Sequence, residues 1–357
     1  HRDLHKEYRR QRQMCIRDSN YMALKPPVEV PQGAIRLNTD SQKLEFFAQD
    51  QWWQMATDVP TLNGGTRGLF GTGATPSATN TIDYITIATT GNSVDFGDCT
   101  TARAETAGGN GSRTRGLFAG GGDNTIDYVT IASTGNATNF GDLIKRYQSY
   151  GNGSAGNSTR GLWFGNRDPD NASPFSASYN NYMDYVTIAS ESNSKDFGDL
   201  SHVASVMFTF ASPTRAFGLG GYTPSHISTM DFINITSLGN SQTFGDLELA
   251  WGRGAGCSNS VRGVFGCGED ANGLTKNLNY LTMATLGNSQ GFGQLATLQG
   301  EYPGAVSSTI RGVWASPSNS NAMEYVSIMT TGDAVDFGDL SSTRHSKSSL
   351  SNGHGGL

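Results

Sequence analysis

The chain has 357 residues, with 46 glycines, 11 prolines and a charged fraction of 16 %. Glycine and proline together make up about 16 %, below the roughly 25–30 % of disordered low-complexity chains, so a folded protein is expected. The formal net charge of −6 argues against nucleic-acid binding, and no run approaches the roughly 20 apolar residues that a membrane span needs.

Residues 1–19 do not resemble the rest of the chain. They read HRDLHKEYRRQRQMCIRDS and carry six basic and three acidic residues without a clear amphipathic period. The run from Met14 to Ser19 resembles a translated sequencing-library end, so we expect an adapter artefact or a disordered segment. A genuine basic N-terminal arm is the alternative. No apolar signal segment is visible.

Residues 20–60 predict a short β-meander and a linker. Strand-like runs are separated by turn residues at positions 38–41 and 49–50, which gives three strands in residues 32–55. A sheet of this size buries little apolar surface alone. We therefore expect it to pack on a partner or on the rest of the chain, with Trp52 and Trp53 as anchors.

Residues 61–357 contain six repeats with a mean period of about 49 residues. Each repeat has an arginine followed by small and apolar residues, then a run such as Ile-Asp-Tyr, then Phe-Gly-Asp or a close variant. From the acid of the middle run (Asn279 in the fifth repeat) to the phenylalanine is 13 residues in all six copies, whereas the interval from the arginine to that position varies from 12 to 24. The constant interval indicates a hairpin of fixed register, and the variable interval indicates a loop of variable length.

Each repeat predicts a four-stranded antiparallel sheet. The first strand is expected after Phe-Gly-Asp, as in residues 144–152, and the arginine, the Ile-Asp-Tyr run and Phe-Gly-Asp mark the second, third and fourth strands. The third strand is apolar on both sides, as a sheet packed between two others requires. Consecutive loops alternate between faces, so the variable loop and the crossover to the next sheet share one face.

These features predict an all-β fold, a six-bladed β-propeller preceded by the small meander. Residues 347–352 resemble a first strand and would complete the first blade, so that a C-terminal strand closes the ring and removes exposed sheet edges. A truncated larger ring is the alternative.

The recurring charged residues predict a structural role. The third-strand acid should be buried, and a buried carboxylate is costly without a partner. We therefore expect one arginine–acid pair in each blade, and a ring of acids that binds metal is the alternative. The expected pairs are Arg67–Asp83, Arg115–Asp127, Arg160–Asp184, Arg215–Asp231 and Arg311–Glu324.

No nucleophile motif or phosphate-binding loop accompanies the repeats, and the six histidines and four cysteines have no metal-ligand spacing. We expect no catalytic residue, no metal and no cofactor. The long interval of the third repeat predicts a loop over residues 166–182, whose aromatic and polar residues suit sugar stacking or protein binding; a loop that is merely longer is the alternative. The candidate binding residues are Arg167, Asp168, Asp170, Phe175, Tyr179 and Tyr182.

The amino-acid sequence of the repeats, such as TRGLF at residues 114–118 and DYVTIASTGN at residues 127–136, resembles kelch-like repeats in structural proteins of marine tailed bacteriophages. The resemblance covers residues 66–357. It implies a non-catalytic virion or tail-fibre protein, located in the virion, that binds a host-surface glycan or a virion partner. The alternatives are an intracellular, cytoplasmic kelch-type interaction scaffold and a carbohydrate-active propeller enzyme.

Overall fold

The computed structural model describes residues 30–38, 43–54, 66–74, 76–150, 153–173, 176–315, 317 and 320–357, without the side chains of residues 43 and 168–178. Within this part of the chain the regular secondary structure consists of 33 β-strands in nine antiparallel sheets, without a helix. The predicted all-β class is therefore confirmed. The chain divides into two compact units, residues 1–62 and 63–357. The predicted artefact at residues 1–19 lies outside the described residues.

The first unit contains one three-stranded antiparallel meander. Its strands are β1 (Ile35–Asn38), β2 (Lys43–Ala48) and β3 (Gln51–Gln54), with β2 in the middle as the sequence predicts. Trp52 contacts Phe47 edge-on at 5.3 Å and lies under the Arg36 guanidinium, whereas Trp53 is 43 % exposed. Trp52 therefore packs within the meander itself.

The second unit contains one antiparallel sheet for each sequence repeat, named sheets 1 to 6 in the order of their arginines. From first to fourth strand, sheet 1 contains β33 (Ser348–Ser351), β4 (Arg67–Gly71), β5 (Thr79–Thr86) and β6 (Val94–Arg103). Sheet 2 contains β7 (Gly108–Gly111), β8 (Arg115–Ala119), β9 (Thr125–Thr130) and β10 (Thr138–Asp142). Sheet 3 contains β11 (Ser154–Gly156), β12 (Arg160–Trp163), β14 (Ser176–Thr187) and β15 (Lys195–Ala204).

The remaining sheets repeat this order. Sheet 4 contains β16 (Phe208–Ala211), β17 (Arg215–Leu219), β20 (Thr229–Asn234) and β21 (Gln242–Asp246). Sheet 5 contains β23 (Ala255–Ser258), β24 (Arg262–Gly266), β27 (Asn277–Thr282) and β28 (Gln290–Gln294). Sheet 6 contains β29 (Gly304–Ser307), β30 (Arg311–Ala315), β31 (Ala322–Ser327) and β32 (Val335–Asp339).

Short additional strands extend the connections between second and third strands. In the third repeat β13 (Arg167–Ser173) pairs with the first part of β14, so the predicted long loop is largely a hairpin. The other short strands are β18 (Tyr222–Thr223), β19 (Ser225–His226), β22 (Trp251–Gly252), β25 (Glu269–Asp270) and β26 (Gly273–Leu274). Because β22 belongs to a crossover and pairs with β25 of a variable loop, the prediction that these two kinds of connection share one face is confirmed.

The predicted positions of the second, third and fourth strands are confirmed, and the predicted first strand is wrong. Residues 144–150 lie in the crossover from sheet 2, and the first strand of sheet 3 begins only at Ser154. The crossover is needed because β10 and β11 are edge strands of two different sheets. The prediction that residues 347–352 supply the first strand of sheet 1 is confirmed, since β33 pairs with β4 from Ser348 opposite Gly71 to Ser351 opposite Gly68.

The apolar core lies between neighbouring sheets. One cluster joins Leu117 and Phe140 of sheet 2 to Trp163 and Val186 of sheet 3. The equivalent cluster between the last and the first repeat contains these buried side chains: Phe70, Ile85, Ile87, Val306, Val313, Met323 and Phe337. Each sheet therefore buries its apolar sides against adjacent sheets and has no separate core of its own.

The Phe-Gly-Asp motif is the place where the hairpin turn of the next sheet docks. A side chain at Gly245 would put its Cβ 2.4 Å from the carbonyl oxygen of Gly287, so this position requires glycine. The same docking occurs between sheets 6 and 1, where Gly91 donates its N–H to the carbonyl of Phe337 at 2.7 Å. The backbone N–H of Asp339 donates to the Asn92 side chain there at 3.0 Å.

Candidate functional site

The recurring arginine binds the neighbouring sheet and does not bind the acid of its own sheet. Each guanidinium lies over the third-strand aromatic ring of its own sheet, as Arg67 lies 4.7 Å from the Tyr84 centroid, and Arg67 donates from Nη1 to the carbonyl of Ile131 in sheet 2 at 2.8 Å. The predicted arginine–acid pairs are therefore wrong. They are Arg67–Asp83, Arg115–Asp127, Arg160–Asp184, Arg215–Asp231 and Arg311–Glu324, whose arginines instead donate to backbone carbonyls.

Strand register explains this error. Arg67 pairs with Thr86, which is three residues from Asp83 on β5. Side chains at odd spacing point to opposite sides of a strand, so the arginine shares the side of Tyr84 and the carboxylate points the other way.

The third-strand acids are instead bound by the segment that follows Phe-Gly-Asp in the preceding sheet. Asp127 is fully buried; it accepts a hydrogen bond from the hydroxyl of Thr100 at 2.8 Å and pairs with Arg103 Nη2 at 2.5 Å. Asp83 pairs in the same way with Arg344 of the last crossover at 2.5 Å. Asp184 has no arginine in this place, and burial raises the pKa of its carboxyl despite hydrogen bonds from Ile144 and Ser194. The acids thus act as structural links between sheets.

The crossovers share a backbone feature that the sequence does not reveal. Among the described residues, each of the six contains one non-glycine residue with a positive φ, between 52° and 61°: Glu105, Tyr150, Val206, Arg253, Tyr302 and Ser346. This left-handed conformation costs roughly 1–2 kcal/mol per residue, and such strain tends to cluster at functional sites. The crossovers are also hydrogen-bonded to one another, since Tyr302 donates its N–H to the carbonyl of Arg253 at 2.7 Å.

Two tyrosines from these strained positions stack on each other. Tyr150 and Tyr302 have ring centroids 4.4 Å apart and planes inclined by 17°. Arg167 of β13 donates from Nη1 to the Tyr150 hydroxyl at 3.0 Å. Burial raises the pKa of the Tyr302 phenol, with nearby Glu301 as a second cause, so this ring remains neutral.

A charged network lies beside the stacked pair. Arg253 binds Glu301 at 2.5 Å and Glu269 at 2.7 Å, and its guanidinium lies 4.8 Å from the Tyr222 ring centroid. Tyr222 contacts His226 and Tyr179 edge-on. Burial lowers the pKa of His226, although Glu269 lies 3.7 Å from its Nε2 and opposes the shift. We call this group the crossover cluster: Tyr150, Arg167, Tyr179, Tyr222, His226, Arg253, Glu269, Glu301 and Tyr302.

The crossover cluster contains two of the six predicted binding residues. Arg167 and Tyr179 belong to it, whereas Tyr182 lies outside its contacts, 41 % exposed and covered on one side by Lys145. The side chains of Asp168 and Asp170 and the whole of Phe175 lie outside the described residues. The sequence missed the crossover residues because they share a backbone conformation and no common residue type.

A second feature is a small cavity of about 60 Å³ lined by the first strands of all six sheets. His354 lines it and is held in a neutral state, with Nε2 donating to the carbonyl of Gly111 at 2.8 Å and Nδ1 accepting from the Gly356 N–H at 3.1 Å. Burial lowers the pKa of this imidazole. The residues after β33 therefore occupy the space where the first strands converge.

The described residues include no group of three or more histidine, cysteine, aspartate or glutamate side chains that could hold a metal ion. The same residues include no helix long and apolar enough to cross a membrane. Comparison of the chain with models of known protein families and with curated proteins gives no match.

Proposed function

We propose that this chain is a non-catalytic binding protein built on a closed, six-bladed, kelch-like β-propeller. Its role would be that of a virion or tail-fibre component, and its ligand a host-surface glycan or a virion partner. The crossover cluster would be the recognition site. The observation that carries the proposal is the concentration of half-buried tyrosines and charged side chains in the crossover cluster, which is built from three strained crossovers and the variable loops beside them.

The contacts between the last and the first repeat support ring closure. The arginine contact that links successive sheets recurs between Arg311 and the carbonyls of Ile87 and Ala88. The acid contact recurs between Asp83 and Arg344, and β33 adds the fourth strand to sheet 1. The arginine contact and the acid contact that join consecutive sheets therefore also join sheet 6 to sheet 1. A cavity lined by all six first strands fits the central axis of such a ring.

The chemistry of the crossover cluster supports recognition of a polar ligand. Tyrosine offers a flat apolar face together with a hydroxyl, at a small cost in conformational entropy. The cluster residues come from crossovers and variable loops, the connections that carry binding sites on rigid scaffolds. Their neighbours on the strands are locked by sheet pairing, so the site is largely preorganised.

A matched pair of tyrosine variants tests the proposal. The full chain is applied to a glycan array and to purified virion proteins, together with Tyr222→Ala and Tyr182→Ala. We expect binding by the native chain and by Tyr182→Ala, whose ring lies outside the crossover cluster, and loss of binding by Tyr222→Ala. Equal binding by both variants, or no binding to glycans or virion proteins, would contradict the proposal.

A further inference from the structure

The two arginines of the crossover cluster differ in their charge balance. Arg253 binds two carboxylates, Glu269 and Glu301. Arg167 has no carboxylate partner among the described residues; its one side-chain hydrogen bond goes to the neutral hydroxyl of Tyr150, and its buried Nε has no partner. A half-buried guanidinium that has no carboxylate at ion-pair distance among the described residues is suited to an anion supplied from outside.

We infer that the crossover cluster binds a sugar that carries a carboxylate, with Arg167 as the residue that recognises the acidic group. This inference rests on the proposed function and names the class of its ligand. The planar guanidinium matches a carboxylate in a two-pronged geometry, which an ammonium group does not provide. Arg253 cannot play this part, because its two glutamates already neutralise it.

The stacked tyrosines supply the second half of the site. Tyr150 receives the Arg167 hydrogen bond at its hydroxyl while its face contacts Tyr302, so the cation and the aromatic surface are adjacent. A pyranose ring packs on such a face through its C–H groups, and its carboxylate then lies at the ring edge where Arg167 is found.

Unsatisfied amides lie next to Arg167 on the same hairpin. Arg167 pairs with Tyr179 across β13 and β14, and the adjacent positions are Asn166 and Asn180. These two side chains are 0 % and 5 % exposed, and none of their four polar atoms has a hydrogen-bond partner. Buried amides are costly when unpaired. Because neighbouring positions on a strand face opposite sides, these two amides lie behind Arg167 and Tyr179, where buried water can satisfy them.

The test compares acidic and neutral glycans and changes only the unpaired cation. The full chain is applied to an array of oligosaccharides that end in a uronic acid, a sialic acid or a neutral hexose. The best acidic glycan and its carboxyl-reduced form are then titrated against the native chain, Arg167→Gln, Arg167→Lys and the control Lys195→Gln. Lys195 is an exposed cation at the start of β15, at the end of the strand away from the crossover. Thermal unfolding verifies that each variant is folded.

We expect acidic glycans to be preferred, and Arg167→Gln to weaken their binding at least tenfold while Lys195→Gln has no effect. The affinity of Arg167→Lys for the acidic glycan should lie between those of the native chain and Arg167→Gln, since lysine keeps the charge and loses the two-pronged geometry of the guanidinium. Carboxyl reduction should remove the difference between the native chain and Arg167→Gln. If neutral glycans bind as tightly, or Arg167→Gln binds the acidic glycan normally, the inference is overturned and glycan binding stands. If no glycan of any class binds, the inference fails together with glycan recognition as the function.

Discussion

The buried ion pair between Arg103 and Asp127 gives the sharpest test of how neighbouring sheets are joined. Arg103 ends β6 of sheet 1, Asp127 lies in β9 of sheet 2, and the two side chains are 2 % and 0 % exposed. Replacing either residue by alanine leaves the other charge buried without its partner, which costs about 3–5 kcal/mol of unfolding free energy. Removing both charges at once should cost little more than removing one.

A double-mutant cycle measures this coupling. Arg103→Ala, Asp127→Ala and the double variant are unfolded in urea at neutral pH, and we expect a coupling energy of about 3 kcal/mol, close to the cost of one single variant. The matched control is the cycle of Arg115→Ala with Asp127→Ala. Arg115 shares a sheet with Asp127 but binds the carbonyls of Ile188 and Ala189, so these two changes should add within about 0.5 kcal/mol.

The opposite result would refute the assignment of partners. Additive effects for Arg103 and Asp127, together with coupling between Arg115 and Asp127, would mean that the acid is bound within its own sheet, as the sequence predicts. Additivity in both cycles would mean that Asp127 is stabilised by Thr100 alone, which donates from both its hydroxyl and its backbone N–H.

Three further predictions concern packing, closure and thiol chemistry. Gly245→Ala should destabilise the chain by roughly 1–3 kcal/mol in urea unfolding, because its Cβ would lie 2.4 Å from a carbonyl oxygen. The control Gly291→Ala, which has open space around its Cβ, should change stability by less than about 0.5 kcal/mol. Equal effects of the two variants would contradict the docking of hairpin turns. A chain that stops at residue 347 should melt at a clearly lower temperature in calorimetry, since β4 loses its partner strand, and an unchanged melting temperature would rule out a structural role for β33. Burial raises the pKa of Cys99 and of Cys267 to about 12, so both thiols should stay protonated at pH 8. Neither should react with a disulfide reagent until denaturant is added. Labelling of either cysteine in the native chain, detected by mass spectrometry, would show that its surroundings open to solvent.

The sequence predicts the strands best where each repeat has the same spacing. The 13-residue interval between the third-strand acid and the phenylalanine fixes the hairpin of β9 and β10, and its copies, without further information. The resemblance of residues 347–352 to a first strand correctly predicts the partner of β4. These features follow from local periodicity and from the need of an edge strand for a partner. Both can be read from a single sequence.

The candidate site was predicted less well, for two physical reasons. The partner of Asp127 depends on which side of its strand Arg115 faces. That side follows from the register between β8 and β9, which cannot be read from the sequence across a loop of variable length. Crossover residues such as Tyr150 and Tyr302 are united by a positive φ and by a stack between distant segments, and neither leaves a common residue type in the sequence. Arg167 and Tyr179 were found because they lie in the one repeat whose length is unusual.

The pairing of β33 with β4 also sets the order in which the second unit can fold. Arg67 and Asn352, which share a hydrogen bond at 2.8 Å, are separated by 285 residues, so sheet 1 stays incomplete until nearly all of this unit has been synthesised. Until then β4 presents an unpaired edge that can recruit another nascent chain, and the search for so distant a partner is slow. Synthesis conditions that keep nascent chains apart should therefore raise the yield of native protein more than a substitution that stabilises one sheet would.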